Sequence, residues 1–433
     1  MSPAAWRQRV HEWEAATPPS RDRFMDATRV LSMLVVVAGH WLMAAVAVVD
    51  GRVSTRNILD VVPTLQPATW ALQVMPLFFL AGGFSNAVAW RRRASAGVAA
   101  FVGTRLARLT RPALVFTVGA AAMLTAGRAL GAPSEQIALA GRFVGAPLWF
   151  LAIYLLVAAA TPVLLRWHER AAMAVPAGLC AAVIVVDVLR MGEIVDVGFA
   201  NFILVWLLVH QLGFWYADGW TERMSHGGAW ACVAGALGVL VLLTGPGPYP
   251  VSMIGLEGQM SNMAPPSVCL LLVTIGQAGA LVLVRPAACR WLRRPLPWAV
   301  VAGLGARAMT IYVWHVSVLV VVSAALVALE AGLPQPGSAL WWVTRPGWLA
   351  VLALVLALMV ALLGRCEQEA PAKVRCTPAA TWLGVASASG GLSIVALGGA
   401  AAPTVWAGIG ALLGGRILVR TSNGEVASQV RGS

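Results

Sequence analysis

Three histidines stand inside long apolar stretches of the chain: His40, His210 and His315. A titratable group in hydrocarbon is costly, so each is a candidate for function. Imidazole, with an unperturbed pKa of about 6.5, can take a proton and return it near neutral pH. Each can equally hydrogen-bond a neighbouring helix and do no more than hold a bundle together. Depth weighs on this choice. His40 lies eleven residues beyond Arg29, about 16 Å along a helix at the standard rise. His210 is eight residues from Asp218 and His315 eight from Arg307, about 12 Å in each case. Three imidazoles at similar depth, with Gln211 and Gln277 near the same level, favour a polar cavity open to the cytoplasm. His11, His168 and His226 fall instead in charged connecting segments.

Arg105, Arg108 and Arg111 recur every third residue at the entry to an apolar stretch, which aligns them along one side of a helix. Converging guanidiniums grip phosphate through paired hydrogen bonds; they also anchor helices to anionic lipid headgroups. Both readings stay open for this triplet. Arg91, Arg92 and Arg93, beside the end of another apolar stretch, are most simply a topology signal. The six cysteines form no CxxC pair, and neither a disulfide framework nor a metal site is expected. The absence of a Gly-x-Ser-x-Gly elbow argues against a serine acyl-enzyme.

The elements that position these groups must be membrane helices. The chain is 59% hydrophobic and 11% charged, with a mean hydropathy of +0.78, which leaves too few charges to cover a water-facing surface. Stretches near the 20 or so apolar residues that a spanning helix needs are expected at 28–49, 68–90, 112–130, 147–165, 172–188, 197–217, 229–244, 266–284, 308–329 and 347–363. Arg111-Pro112 is expected to open the third of these, with Pro in the first turn, where its missing N–H costs nothing. The fold class is therefore all-α, a polytopic transmembrane helical bundle of about ten spans. The Gly- and Ala-rich stretch 380–419 leaves room for one or two more. The corresponding division is a cytoplasmic tail at 1–27, a ten-helix core at 28–363 and a C-terminal segment at 364–433. Residues 1–28 lack the features of a cleavable signal.

The net charge of +13 does not indicate nucleic acid, because the basic residues sit in short clusters between apolar stretches. Counted over alternate connections, Lys and Arg divide 22 to six, which puts the N-terminus in the cytoplasm of a multi-pass cell-membrane protein. The connection Gly245–Pro266 then faces outward. It is too long for a minimal turn, and its Pro, Gly and Tyr249 suit an ordered lid.

Several segments, in order, resemble the acyltransferase type 3 family of integral membrane acyltransferases. Asp26-Ala27-Thr28-Arg29 followed by His40 resembles its opening Asp-x-x-Arg and Arg-x10-His pattern. Phe78-Phe79-Leu80-Ala81-Gly82-Gly83-Phe84 resembles its Phe-Phe-x-x-Ser-Gly-Phe, with Gly82 where Ser is usual. Arg105-x-x-Arg108 resembles its Arg-x-x-Arg element, with Pro112 one residue later than in the commonest version. Leu148-Trp149-Phe150-Leu151 resembles its Leu-Trp-Phe-Leu, and Thr310 through Tyr312 to His315 resembles its late Ser-Tyr-x-x-Tyr-Leu-x-His with the Ser-Tyr part altered. The long loop and the His210-Gln211 pair look like a branch found in actinobacteria.

The resemblance implies transfer of an acyl group from a cytoplasmic acyl-CoA, acetyl-CoA among them, to a hydroxyl or amine of a surface glycan, lipid or small metabolite. O-acetylation in the cell envelope is one such reaction. It implies His40 as the catalytic histidine supported by Arg29 and Asp26, and Arg105 and Arg108, with Arg111 beside them, as the donor-side arginines. Tyr312, His315, His210, Gln211 and Trp149 complete the expected pocket. Acyl-CoA is a co-substrate, and no bound cofactor or metal is expected. The partners are the acceptor and membrane lipids, with no nucleic acid. The leading rival is a proton-coupled transporter or flippase whose histidines line a proton path; it would show internal repeats, and none is evident. A lipid-phosphate glycosyltransferase with Asp50 and Asp60 as acids is the second rival, although both read as solvated loop carboxylates.

Overall fold

The protein is described from a computed structural model covering residues 17–49, 52–192, 195–367, 377–401 and 403–420, together with Gln8, Glu12, Glu14 and Ala15. His11, Asp50, Lys373, Arg375 and Cys376 lie outside the described residues. The fold is all-α. Its helices are α1 (Arg23–Met43), α2 (Met75–Arg93), α3 (Gly97–Ala129), α4 (Ser134–Gly145), α5 (Leu148–Arg170), α6 (Ala174–Met191) and α7 (Asn201–Ala217). There follow α8 (His226–Thr244), α9 (Val268–Leu292), α10 (Pro295–Ala306), α11 (Ala308–Ala328), α12 (Ala339–Glu367), α13 (Pro378–Gly398) and α14 (Thr404–Arg420). Among the described residues ten apolar helical stretches are long enough to cross a membrane, and one of them, Pro63–Ala129, contains both α2 and α3. Each of the ten spans expected from the sequence has its helix. The stretch left open near the C-terminus is the helical hairpin α13–α14.

Two expectations about the backbone are corrected. The first span does not run on to residue 49: α1 ends at Met43, and Ala44–Val49 (β1) pairs antiparallel with Arg52–Asn57 (β2), Val49 opposite Arg52. Alternating β-branched residues on both strands favour extended chain. The two residues between the strands are Asp50-Gly51 in sequence, a strong two-residue hairpin signal that the apolar run of Val46, Val48 and Val49 masks. Nor does Pro112 open the third span. It lies in the interior of α3, which begins fifteen residues earlier at Gly97. Proline is tolerated inside a membrane helix when neighbouring groups satisfy the backbone it leaves bare.

The chain forms two compact units. The first comprises 1–39, 62–88 and 164–308. Its N-terminal approach is fastened at Trp298, whose indole donates to Thr17 Oγ1 at 2.7 Å, with Arg21 and Arg23 over the ring. Ser225 and Ser267 cap α8 and α9 by accepting from Gly228 N and Cys269 N. The long loop after α8 is ordered largely through its own main chain. Trp70 donates to Val251 O, Gln73 to Met253 O, and Asn262 to the carbonyls of Pro250 and Ser252. Asp187, buried near the end of α6, closes the arrangement by accepting from Tyr249 OH at 3.0 Å, Asn201 Nδ2 at 3.0 Å and Val268 N at 2.7 Å. Burial and the adjacent Asp187 push the Tyr249 phenol up, so it stays protonated and donates. Arg190 donates to the carbonyls of Ser261 and Pro265.

In the same unit α2 and α7 cross at two glycines. A Cβ on Gly83 would lie 1.9 Å from His210 O, and one on Gly213 would lie 2.2 Å from Leu80 O. The glycine of the Phe-rich motif is therefore a steric requirement of this crossing. Backbone cannot yield as a flexible side chain can, so Gly83→Ala should lower unfolding stability by about 3 kcal/mol. Gly235→Ala, at a helical position with open space around it, should leave stability unchanged or raised by up to about 1 kcal/mol. Thermal unfolding of the two purified variants in detergent makes the comparison.

The second unit comprises 40–61, 89–163 and 309–433. Thr377 caps α13 by accepting from Ala380 N. The hairpin helices approach closely at Gly384, Gly391, Gly408 and Gly415, where any Cβ would meet the facing helix. The turn between them is tied to α4, where Ala400 N donates to Gly141 O at 2.8 Å. Ser389 of α13 donates to Ala152 O of α5. Phe116 of α3 packs edge-on against Trp314 of α11, their centroids 5.2 Å apart.

Candidate active site

His40, Tyr312 and His315 come together in the second unit. His40 Nδ1 lies 2.7 Å from His315 Nε2, and His315 Nδ1 is hydrogen-bonded to the Tyr312 carbonyl one turn back along α11. A carbonyl only accepts, so His315 Nδ1 carries a proton. In the neutral ring Nε2 is then the acceptor, and the proton between the two histidines belongs to His40 Nδ1. The remaining nitrogen, His40 Nε2, keeps its lone pair. The ring planes lie within 6° and the centroids are 5.0 Å apart, the arrangement of two imidazoles joined edge to edge in one plane, as a straight N–H···N bond requires. His315 is wholly buried, whereas His40 is partly exposed. The inner ring is therefore a fixed acceptor, and the outer residue is the one of the pair that keeps some exposure.

Three further bonds hold the pair. Trp41 donates from its indole to His315 O at 2.9 Å, and Trp348 of α12 donates to Trp41 O at 3.3 Å. That carbonyl sits in the last turn of α1, where the helix supplies no donor of its own. Tyr312 OH donates to Pro147 O, the residue preceding α5, at 2.9 Å. The adjoining Leu-Trp-Phe-Leu segment packs Phe150 against Tyr312 and Tyr154, with centroids at 5.2 and 5.6 Å. Trp149 stands edge-on to Phe150.

Tyr154 leads to the arginines. Arg105 interacts electrostatically with Tyr154 and with two other cations, Arg108 and Arg93, and its guanidinium lies 4.8 Å from the Phe101 ring centroid. Arg93 was expected to be a topology signal only; here it joins the cationic group. That grouping was not legible because Arg93 and Arg105 belong to different helices. Arg111 stands about 120° round α3 from Arg105 at 100° per residue. One unit thus carries a cationic group, a path of Tyr154, Phe150 and Tyr312, and the histidine pair.

The other expected residues lie in the first unit. Asp26 accepts from Arg21 Nε at 2.6 Å and from Arg29 Nη2 at 3.1 Å, which holds Arg29 on α1. Eleven residues make three turns to within about 20°, so Arg29 and His40 share a face of that helix. Arg29 Nε is buried without a hydrogen-bond partner among the described residues. His210 bonds the Phe79 backbone, and both amide atoms of the fully buried Gln211 lack a partner among the described residues. Asp187 escaped the sequence reading because it sits at the edge of an apolar run, where a carboxylate looks like part of the following loop. No group of three or more His, Cys, Asp or Glu that could hold a metal occurs among the described residues.

Ten membrane-length apolar helical stretches among the described residues define a multi-pass membrane protein. The acyltransferase domain family matches residues 22–364, most of the chain, and the protein belongs to the acyltransferase type 3 family. It is an acyltransferase. No curated protein and no solved structure matches the chain.

The hydrogen-bond order makes a spectroscopic prediction. In protein labelled with 15N at histidine, His40 should show a protonated Nδ1 and an unprotonated Nε2. His315→Leu should mix the two tautomers, because the acceptor that selects one of them is gone. A wild-type spectrum with His40 protonated at Nε2 would contradict this order.

Proposed function

We propose that the protein resides in the cell membrane with its N-terminus in the cytoplasm. There it transfers an acyl group from cytoplasmic acyl-CoA, acetyl-CoA among the donors, to a hydroxyl or amine of a surface glycan, lipid or small metabolite. The observation that carries this reading is the hydrogen-bond chain from His40 through His315 to a main-chain carbonyl, which assigns the unprotonated nitrogen of His40 to Nε2. His40 Nε2 takes the proton of the acceptor hydroxyl as its oxygen forms a bond to the thioester carbon. The C–S bond then breaks, and the imidazolium returns the proton to the departing thiolate. Positive charge developing on His40 strengthens its Nδ1–H bond to His315, so the pair stabilises the state in which the proton is held.

The donor side follows from charge. CoA carries several phosphate charges, and Arg93, Arg105 and Arg108 form a cationic group within the same unit as the histidines. Tyr154, Phe150 and Tyr312 offer an apolar and aromatic wall along which a pantetheine arm can lie. Arg29, held by Asp26, is the remaining cation of the family pattern.

Removing the base should cost about 10²–10⁴-fold in turnover. The expected result for His40→Ala is therefore loss of acyl transfer from acetyl-CoA in protein that is still inserted and retains its thermal midpoint. Retention of most of the turnover would make His40 structural. Orientation has its own test: reporters fused after Arg93 and Arg170 should report cytoplasm, and one after Glu257 the outside. A cytoplasmic signal at Glu257 would reverse the loop's placement.

A further inference from the structure

The hairpin α13–α14 lies beyond the residues that the family matches, yet it is built against the helix that carries the donor-side arginines. A Cβ on Gly384 would stand 3.7 Å from Leu106 of α3. Arg416 of α14, buried, donates through Nη1 to Ala107 O and to Thr110 Oγ1, each at 3.1 Å. Thr110 in turn donates to Leu106 O. A charged side chain placed in this manner, on backbone of a membrane helix, is costly unless it does something there.

The reason for its position is in α3. Pro112 has no N–H, so the Arg108 carbonyl loses the donor that residue 112 would supply, and the proline ring crowds that carbonyl. The turn from Leu106 to Thr110 is therefore where α3 has the least support of its own. Arg108 projects from that turn, and Arg105 from the residue just before it. Arg416 leaves the Arg108 carbonyl as it is; it adds a second donor to the neighbouring Ala107 carbonyl and, through Ala107 and Thr110, ties the turn to α14.

We propose that Arg416 is a positioning residue of the donor site, and that the C-terminal hairpin is part of the machinery that binds acyl-CoA. This rests on the reading of Arg105 and Arg108 as the donor-binding arginines. Arg416 fixes the turn that bears Arg108 and follows Arg105, so that both guanidiniums address one phosphate-rich ligand. Both of its bonds leave from a single nitrogen, and an ammonium can make the same two. Lysine should therefore serve at 416, whereas at 105 it should not, because paired bonds to a phosphate need the planar fork.

The test is coenzyme A binding by calorimetry, with the full chain in detergent and its thermal midpoint recorded for each variant. Arg416→Met should weaken CoA binding about tenfold, roughly the worth of one charge-assisted hydrogen bond, with the midpoint largely kept. Arg416→Lys should bind within about twofold of wild type. Thr110→Val, which removes one of the two acceptors, should fall between. Wild-type affinity in Arg416→Met overturns the proposal, as does equal weakening in the Met and Lys variants accompanied by equal loss of thermal stability. If the Met variant does not insert, Thr110→Val decides, and unchanged affinity there overturns the proposal. Arg105→Ala, measured alongside, separates the two readings. If it binds CoA as wild type does, the donor assignment fails and the role of Arg416 falls with it. If it weakens binding while Arg416→Met does not, the donor assignment stands and the role of Arg416 alone is refuted.

Discussion

In the hydrocarbon of a bilayer no water stands ready to complete a hydrogen bond, so every polar group must find its partner within the protein. The placement of nearly every functional side chain here follows from that constraint. His40 keeps Nε2 unprotonated because His315 accepts the proton of Nδ1 and the Tyr312 carbonyl accepts that of His315. Trp41 and Trp348 discharge the same obligation for main-chain carbonyls at the end of α1 and on α11. A bond that would contribute modestly in water here also selects a tautomer, because the alternative is a buried donor facing another donor.

The same constraint explains what could be read from the sequence. The spans were legible because apolar length is a physical requirement of crossing, and His40 and His315 were legible because titratable groups are rare at that depth. Their direct contact was not, since 275 residues separate them and only the packing of α1 against α11 within one unit brings them together. Pro112 was misplaced for a related reason. Proline at a helix start and proline inside a longer membrane helix look alike locally, and the residue that ties the preceding turn to another helix, Arg416, lies 306 positions from Thr110. The β1–β2 hairpin was hidden because its valines satisfy an apolar window and a strand pattern equally well. Arg93 shows the limit of charge counting, since one residue can meet a topology rule and join a cationic group.

The two ends of the second unit do different work with similar materials. At the histidines, aromatic residues provide donors that orient a neutral pair. At the arginines, the Phe101 face accommodates the Arg105 guanidinium without cancelling its charge. Phe150 packs against Tyr312 and Tyr154, and Tyr154 interacts electrostatically with Arg105. The Leu-Trp-Phe-Leu segment is therefore a spacer between the two as well as a packing element.

The loop between α8 and α9 is fastened in a way that has consequences for how this scaffold can diversify. Trp70, Gln73 and Asn262 all grasp main-chain carbonyls of residues 250–253, and a carbonyl is present whatever the side chain. Replacing the part-exposed Val251 or Ile254 changes the surface of the loop and leaves those fastenings in place. Tyr249, Ser252, Ser261, Asn262, Met263 and Ser267 contribute bonding side chains of their own. A segment anchored by its backbone can be rewritten residue by residue without remaking its frame. Natural drift, or a designer, has a ready-made variable region here.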